Sequence, residues 1–576
     1  MLSMMRIIKK FSCILEKKQK GFIFIILVMM LIGGIVESVS VSLIFPLIEA
    51  VMNEKTWSQP IYAQVICNVF GIVDQKDYIK ILIIFLVIIF VVKNLYLLGE
   101  YYVQNTFVAK CKYKIQRKLL NRYLRKPYIF FLQASSGEIV RIINDDSSST
   151  FYALSSTLAF STELIVSIVL AITVILLSPQ MAVGMICVLF VEVVVIMGII
   201  KPKLKTYGDK GRTETAIANK WMLQSISGIK SIKVSANEDY FEGNFNRHNR
   251  IAVNTLKNYT VLNNIPRLGI EAFTMSGILV VMFVMISRGI QVESLIPGFS
   301  AFAVAAVRLL PSTNRISQAY SNVIYSEGAI DSILEVIASD TKEEKSKRIV
   351  EQEISFSDRV EMTGITFSYP DTEKKVFENA SFVFHPGESV GIVGTSGAGK
   401  TTLVDVLLGL LKPQAGSIKS DSIDIEENIV GWLSHLAYIP QTIFLLDDTI
   451  RENVLFGSEA ESDEDVWIAI RDAQLEDFVR GLPESLDTKI GEAGVRLSGG
   501  QRQRIGIARA LYTNPDILVF DEATSALDNE TEAAIMDSVD KLKGSKTLII
   551  IAHRLTTIEK CDKIYRVENG TIVQER

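Results

Sequence analysis

Six stretches of this chain are apolar for about 20 residues or more, and they decide most of what it can fold into. They run approximately over Gly21–Ala50, Ile79–Tyr102, Phe151–Leu177, Met181–Ile200, Leu268–Ile286 and Leu295–Val323. A bilayer's hydrocarbon core is ~30 Å thick and a helix rises ~1.5 Å per residue, so each stretch is long enough to cross it. Lipid offers no partner for a backbone N–H or C=O, which leaves the helix as the form each stretch takes. The first is too long for a secretory leader and lacks a small-residue cleavage site, so no cleaved targeting segment is expected. All six fall in the first 330 of 576 residues, and the remainder reads as a soluble α/β protein. With 49% apolar and 22% charged residues, disorder is excluded. A net charge of −4 gives no basic field, so nucleic acid is not an expected partner. The five cysteines show no metal-ligand spacing and read as free thiols.

Basic residues alternate between the connections. The N-terminal lead (Arg6 to Lys20), the segment after span two (Lys110 to Lys126) and the one after span four (Lys201 to Lys233) are rich in Lys and Arg. The intervening connections hold only Lys55, Lys76 and Arg288. The positive-inside rule then puts the N-terminus, both long connections and the C-terminal half in the cytoplasm. Six buried helices of a soluble protein would make that alternation an accident. Both long connections keep helical composition, with amphipathic elbows expected near Pro127–Ser136 and Asn219–Gly228, placed to touch the soluble half. Glu37, Lys93, Glu163, Glu192, Glu271, Arg308 and Arg315 fall inside spans. A charge at bilayer depth costs about 2.5–3.5 kcal/mol on insertion scales, so each needs a partner or a wet cavity. Arg308 and Arg315 are two helical turns apart and share a face, with Pro311 between them. Two guanidinium forks on one wall suit a phosphate or pyrophosphate. The plainer alternative is an ion pair with Glu37 or Glu271, or simple proximity to the membrane interface.

Asp340–Glu353 is charged and aperiodic, a natural linker. The expected organisation is a transmembrane domain over 1–335, a linker over 336–355 and an α/β P-loop ATPase domain over 356–576. Beyond the linker, apolar runs alternate with helical patterns, which suggests a largely parallel sheet. The run Ser389–Val393 leads into Gly394, Thr395, Ser396, Gly397, Ala398, Gly399, Lys400 and Thr401, followed at once by a helical stretch from Thr402. This is GxxxxGK[ST] in its strand–loop–helix setting. Glycines let backbone N–H groups wrap phosphates, the helix N-terminus adds donors, Lys400 adds a point charge, and the Thr401 hydroxyl can ligate Mg²⁺. A second buried run, Ile517–Phe520, ends in Asp521 and Glu522. Asp521 fits the metal side and Glu522 the group that polarises the attacking water. Leu497, Ser498, Gly499, Gly500 and Gln501 open an Arg-rich helical pattern and offer a second anion nest.

LSGGQ beside that phosphate loop resembles the nucleotide-binding domain of ABC transporters, over nearly the whole soluble half. The resemblance implies further roles. Tyr369, in Phe-Ser-Tyr-Pro, stacks on adenine. Gln441 is the Q-loop glutamine, sensing Mg²⁺ and the membrane domain. Thr488–Glu492 is a cross-contact loop, Asp528 belongs to the D-loop, and His553 is the switch histidine at the γ-phosphate. It implies that ATP is clamped between the phosphate loop of one copy and Leu497–Gln501 of another, so the chain is a half-transporter working as a dimer, most simply a homodimer, with a heterodimer of sister chains as the alternative. Six spans fused ahead of the ATPase resemble the exporter architecture, and Gly137–Asp145 its first intracellular loop. Glu37, Arg267, Glu271, Arg308 and Arg315 resemble an exporter branch that flips lipid-linked oligosaccharides across a bacterial inner membrane. Exporters of other lipids, drugs or peptides, importers, and non-transporting ATPases are the rivals. No peptidase-like region precedes span one, and the fusion argues against an importer.

Overall fold

The computed structural model describes residues 2–43, 47, 50–51, 61–72, 74–177, 201–287, 311–339, 354–370, 372–459, 462–522, 529–551 and 558–576. Span four, the first half of span six with Arg308, Glu192, the linker, Asp528 and His553 lie outside the described residues. The chain forms two compact units: Met1–Lys126 with Gln133–Lys345, and Pro127–Leu132 with Ser346–Arg576.

The first unit is helical. Among the described residues, three segments are long and apolar enough to cross a membrane, within Lys17–Glu37, Gln75–Leu124 and Ser136–Val169. Gln75–Leu124 is one helix of 50 residues, about 75 Å at ~1.5 Å per residue, so it far outruns a bilayer. Span two therefore continues into water as a single rod, as its composition suggested. Its buried positions (Leu82, Leu86, Lys93, Glu100, Phe107, Cys111, Ile115, Leu119) recur every four or seven residues and form one seam. Ile84, Val87, Val91, Val92 and Leu95 face outward at 55–63% exposure, as a lipid-facing surface allows. Span five likewise sits inside a 50-residue helix, Glu238–Ser287, with Pro266 in its interior.

Ion pairs join the helices of this unit at their polar ends. Arg212 donates from Nε and Nη2 to the two oxygens of Asp146 at 2.9 and 3.1 Å. Asp146 closes a π-helical turn, Ile142–Asp146, at the end of the segment resembling the first intracellular loop. Lys10, on the helix Leu2–Ile14, reaches Asp331 at 2.6 Å and Glu327 at 3.2 Å, and Lys205 also reaches Glu327 at 3.2 Å.

The first elbow is the short helix Tyr128–Gln133. The second differs from expectation. Asn219–Gly228 is not a separate piece: the helix Lys201–Ser227 runs through it, and the elbow is Ile229–Ser235. Gly228 breaks the rod, and Ala236 at φ 51° closes the short helix with a left-handed cap. Helical periodicity continues across that boundary, so composition alone misplaced it.

The second unit holds two sheets. Strands β1 (Val360–Ser368), β2 (Lys375–Phe384), β4 (Ala415–Ser420) and β5 (Ile423–Asp424) form an antiparallel sheet ordered β2-β1-β4-β5. Strands β3 (Ser389–Val393), β6 (Leu436–Ile439), β7 (Ile517–Asp521), β8 (Thr547–Ile551), β9 (Lys563–Glu568) and β10 (Thr571–Gln574) form the second, ordered β10-β9-β3-β8-β7-β6. Its five strands from β9 to β6 are parallel, and β10 is the antiparallel edge. β3, β7 and β8 are buried along their whole length, which explains their unbroken apolar runs. The parallel sheet matches expectation; the antiparallel sheet was not foreseen, and register shifts interrupt the pairing of β1 with β2.

Candidate nucleotide site

The fully buried β3 ends at the phosphate loop, and the helix Lys400–Leu407 starts directly after it. The loop is tight. Gly399 has φ +104°, and a Cβ there would lie 2.8 Å from Val376 Cγ1. That backbone conformation strains any L side chain, so the last loop glycine is required by both shape and space. Lys400 is 7% exposed and its Nζ donates to the carbonyls of Gly394 and Thr395 at 3.0 and 3.2 Å. Its ammonium is thereby held over the loop mouth. Tyr369 packs edge-on against Phe367, and its hydroxyl lies 3.0 Å from Thr402 Oγ1.

Parallel pairing brings the acids to the same edge. β7 lies two strands from β3 in the sheet, with β8 between them, and its last residue, Asp521, is 4% exposed. Tyr438 donates to Asp521 Oδ2 at 3.1 Å, and the Thr401 hydroxyl bonds the same carboxylate. Burial, then the neighbouring charge of Glu522, pushes the Asp521 carboxyl above its usual range, against the pull of Tyr438, Thr401 and Lys400. Glu522 takes φ 49°, a left-handed conformation uncommon for a non-glycine residue. Its N–H donates to Ile551 O at 3.0 Å, and Gln441 Nε2 donates to its Oε2 at 2.7 Å. So the Q-loop glutamine and the acid expected to handle water are in contact.

A further acid was missed by the sequence reading. Asp405, on the helix after the phosphate loop, is raised to about 6 by burial and by the charge of Asp521. Tyr128 belongs to this unit and is itself raised by burial and by Asp405 and Tyr369. Helical spacing from Lys400 is the only signal that could have found Asp405.

Thr401, Asp521 and Gln441 present hydroxyl, carboxylate and amide oxygen, a hard donor set that suits Mg²⁺. Burial, with the charge of Asp521 added, raises the Asp405 carboxyl, and burial, with the charge of Glu522 added, raises that of Asp521 against the pull of Tyr438, Thr401 and Lys400. The residues present therefore fit a divalent cation.

Ser498 caps the helix Gly499–Tyr512 in a reciprocal box: its Oγ accepts from Gln501 N at 3.2 Å and its N–H donates to Gln501 Oε1 at 2.8 Å. The Gln501 side chain is thus engaged locally, while Ser498 is exposed at the helix start. Arg509 is structural: it donates to Asn453 O and Phe444 O at 2.8 and 2.9 Å and lies 4.0 Å from the Phe456 ring centroid. Among the described residues, no hydrogen bond links the phosphate loop to Ser498–Gln501.

A profile of the ABC transporter transmembrane region matches residues 23–306, and an ABC transporter profile matches 377–525. An ATP-dependent lipid A-core flippase of Pseudomonas fluorescens (strain Pf0-1) is 31% identical over 487 residues, 82% of this chain and 79% of the relative. This chain belongs to the ABC transporters. A flippase of the same description from Thiobacillus denitrificans is 31% identical over 353 residues, spanning 61% of this chain and 60% of the relative. A solved bacterial Atm1-family ABC exporter with ATP bound superposes with a TM-score of 0.76 at 22% identity, covering 97% of this chain and 95% of that one, which shows the fold. The half-transporter is accordingly a membrane exporter whose ATPase domain binds and hydrolyses ATP to drive transport.

In the transmembrane unit, Arg315 Nη1 donates to Glu163 Oε1 at 2.6 Å. The sequence offered an ion pair with Glu37 or Glu271 as an alternative to cargo contact; the ion pair recorded for Arg315 is with Glu163 instead. Glu163 is 9% exposed and sits on the adjoining Ser147–Leu177 helix, where it needs a cation more than half-exposed Glu37 or exposed Glu271 does.

Proposed function

We propose that two copies of this half-transporter flip a lipid-linked oligosaccharide across a bacterial inner membrane, driven by MgATP. The observation that carries the ATP chemistry is the meeting of Lys400, Thr401, Asp521, Glu522 and Gln441 at one sheet edge. Loop amides of 394–399 and Lys400 hold the β- and γ-phosphates, with Thr402 and Tyr369 toward the base. Mg²⁺, held by Thr401, Asp521 and Gln441, would neutralise charge on the phosphate oxygens. Glu522 orients the water that attacks the γ-phosphorus, and Gln441 fixes the Glu522 carboxylate. Leu497–Gln501, with Ser498 exposed at a helix N-terminus, faces the nucleotide of the partner copy; by resemblance Asp528 belongs to the D-loop and His553 is the switch histidine at the γ-phosphate. Closure around ATP biases the spanning helices toward the outward state, and phosphate release lets them return.

For the cargo, the support is an amphiphile chemistry shared with relatives described as lipid A-core flippases, together with intramembrane Arg308 and Arg315. Those relatives favour a second reading, a lipid A-like glycolipid. The test is proteoliposome flipping with ATP, using a fluorescent lipid-linked glycan and a labelled lipid A-core in parallel, with Glu522→Gln as the blocked control. ATP-dependent movement of the glycolipid alone selects the second reading; movement of neither removes both.

A further inference from the structure

Tyr438 opens the Tyr-Ile-Pro-Gln run that carries Gln441, and it bonds the acid on the metal side of the nucleotide site. We propose that Tyr438 is a positioning residue: its phenol hydroxyl orients the Asp521 carboxylate for the divalent cation. This rests on the reading above that Asp521 serves MgATP.

The sheet makes the contact unavoidable. β6 and β7 are parallel neighbours with Tyr438 opposite Val519. Side chains alternate, so Leu436 and Tyr438 share a face with Ile517, Val519 and Asp521. Leu436, Ile517 and Val519 pack in one core with Leu403, Val404 and Leu407 of the phosphate-loop helix. Asp521 stands two residues beyond Val519 along the same face, about 7 Å at the usual strand rise. A phenol covers that span and meets Oδ2 at 3.1 Å. Without that donor, Asp521 would face Asp405 and Glu522 with Thr401 as its neutral partner. Three residues on, Gln441 holds Glu522 at 2.7 Å. The segment from Tyr438 to Gln441 thus fixes both acids, one for the metal and one for water.

The test uses the full chain in nanodiscs with a non-hydrolysable ATP analogue. Mn²⁺ affinity is read by electron paramagnetic resonance, and nucleotide affinity is read separately in EDTA. Tyr438→Phe keeps the ring and removes the hydroxyl. The expected result is a three- to tenfold weaker Mn²⁺ affinity, with metal-free nucleotide affinity within twofold of wild type. ATP turnover should need correspondingly more Mg²⁺. Tyr438→Leu should show the same metal shift. Unchanged Mn²⁺ affinity in Tyr438→Phe overturns the proposal, as does an equal loss of metal-free nucleotide affinity; a defect in Tyr438→Leu alone makes the residue a packing element. Asp521→Asn is measured alongside. If it keeps wild-type Mn²⁺ affinity, the metal-side reading itself fails; if it loses it while Tyr438→Phe does not, only the tyrosine's role falls.

Discussion

Removing the Arg315 guanidinium tests whether that residue braces the helices or meets cargo. Glu163 is 9% exposed and Arg315 59%, with 2.6 Å between the charged atoms. At an effective dielectric of ~20, that separation corresponds to about 6 kcal/mol of attraction. Water around the exposed guanidinium and desolvation of the carboxylate offset most of it, leaving a coupling of about 1–3 kcal/mol. Arg315→Gln strands the Glu163 carboxylate, and should cost about 3 kcal/mol, the lower end for breaking a buried pair. Glu163→Gln/Arg315→Gln removes both charges and should recover most of that loss. The assay is thermal unfolding in nanodiscs for the two singles and the double, with ATP turnover and flipping measured on the same samples. A single Arg315→Gln as stable as wild type, or a double no better than the single, refutes the bracing argument. If the double is stable and hydrolyses ATP normally, its flipping rate decides the second question: wild-type flipping removes Arg315 from the cargo path, and lost flipping keeps it there.

Other consequences follow from the ATPase unit. Gly399→Ala should weaken nucleotide binding at least tenfold in a fluorescent-nucleotide titration, because its Cβ would sit 2.8 Å from Val376 at φ +104°. Ser498→Ala should lower stability by about 1 kcal/mol through loss of the helix cap, seen as a reduced melting temperature with the helix still formed. Asp405 is raised to about 6 in the folded state from an ordinary value of 3.8. Below the ordinary value both states are protonated and nothing is lost; as pH rises toward about 6 the unfolded state ionises first, so stability falls, and above that the full penalty is present. Asp405→Asn should therefore raise the melting temperature at pH 7.5, and the gain should shrink at pH 5. The shift is discounted to about 1 kcal/mol for partial solvent screening. His435 behaves oppositely. Burial alone would lower its imidazole, but bonds to Asp516 and the Ile354 carbonyl raise it on balance, so their stabilisation is present below the ordinary 6.5 and is lost as pH rises through the folded value. His435→Gln should narrow the stability difference between pH 6 and pH 8.

Local chemistry settled much of this protein before any fold was known. Spans one to three are legible because burying ~20 apolar residues in lipid needs no tertiary partner. The phosphate loop, Asp521–Glu522 and Ser498–Gln501 are legible because each is a contiguous backbone device: a turn, a strand end, a helix cap. What spacing could not reach depends on residues distant in sequence. Arg315 finds Glu163 across 152 residues, Tyr438 finds Asp521 across 83, and Gln441 finds Glu522 across 81. The second elbow moved to Ile229–Ser235 because a glycine break, invisible to periodicity, sets its start. Sequence determines which groups exist and which face of a helix or strand they take; only the packed sheet and bundle decide which charges meet, since the partner of a buried charge is chosen by proximity in space.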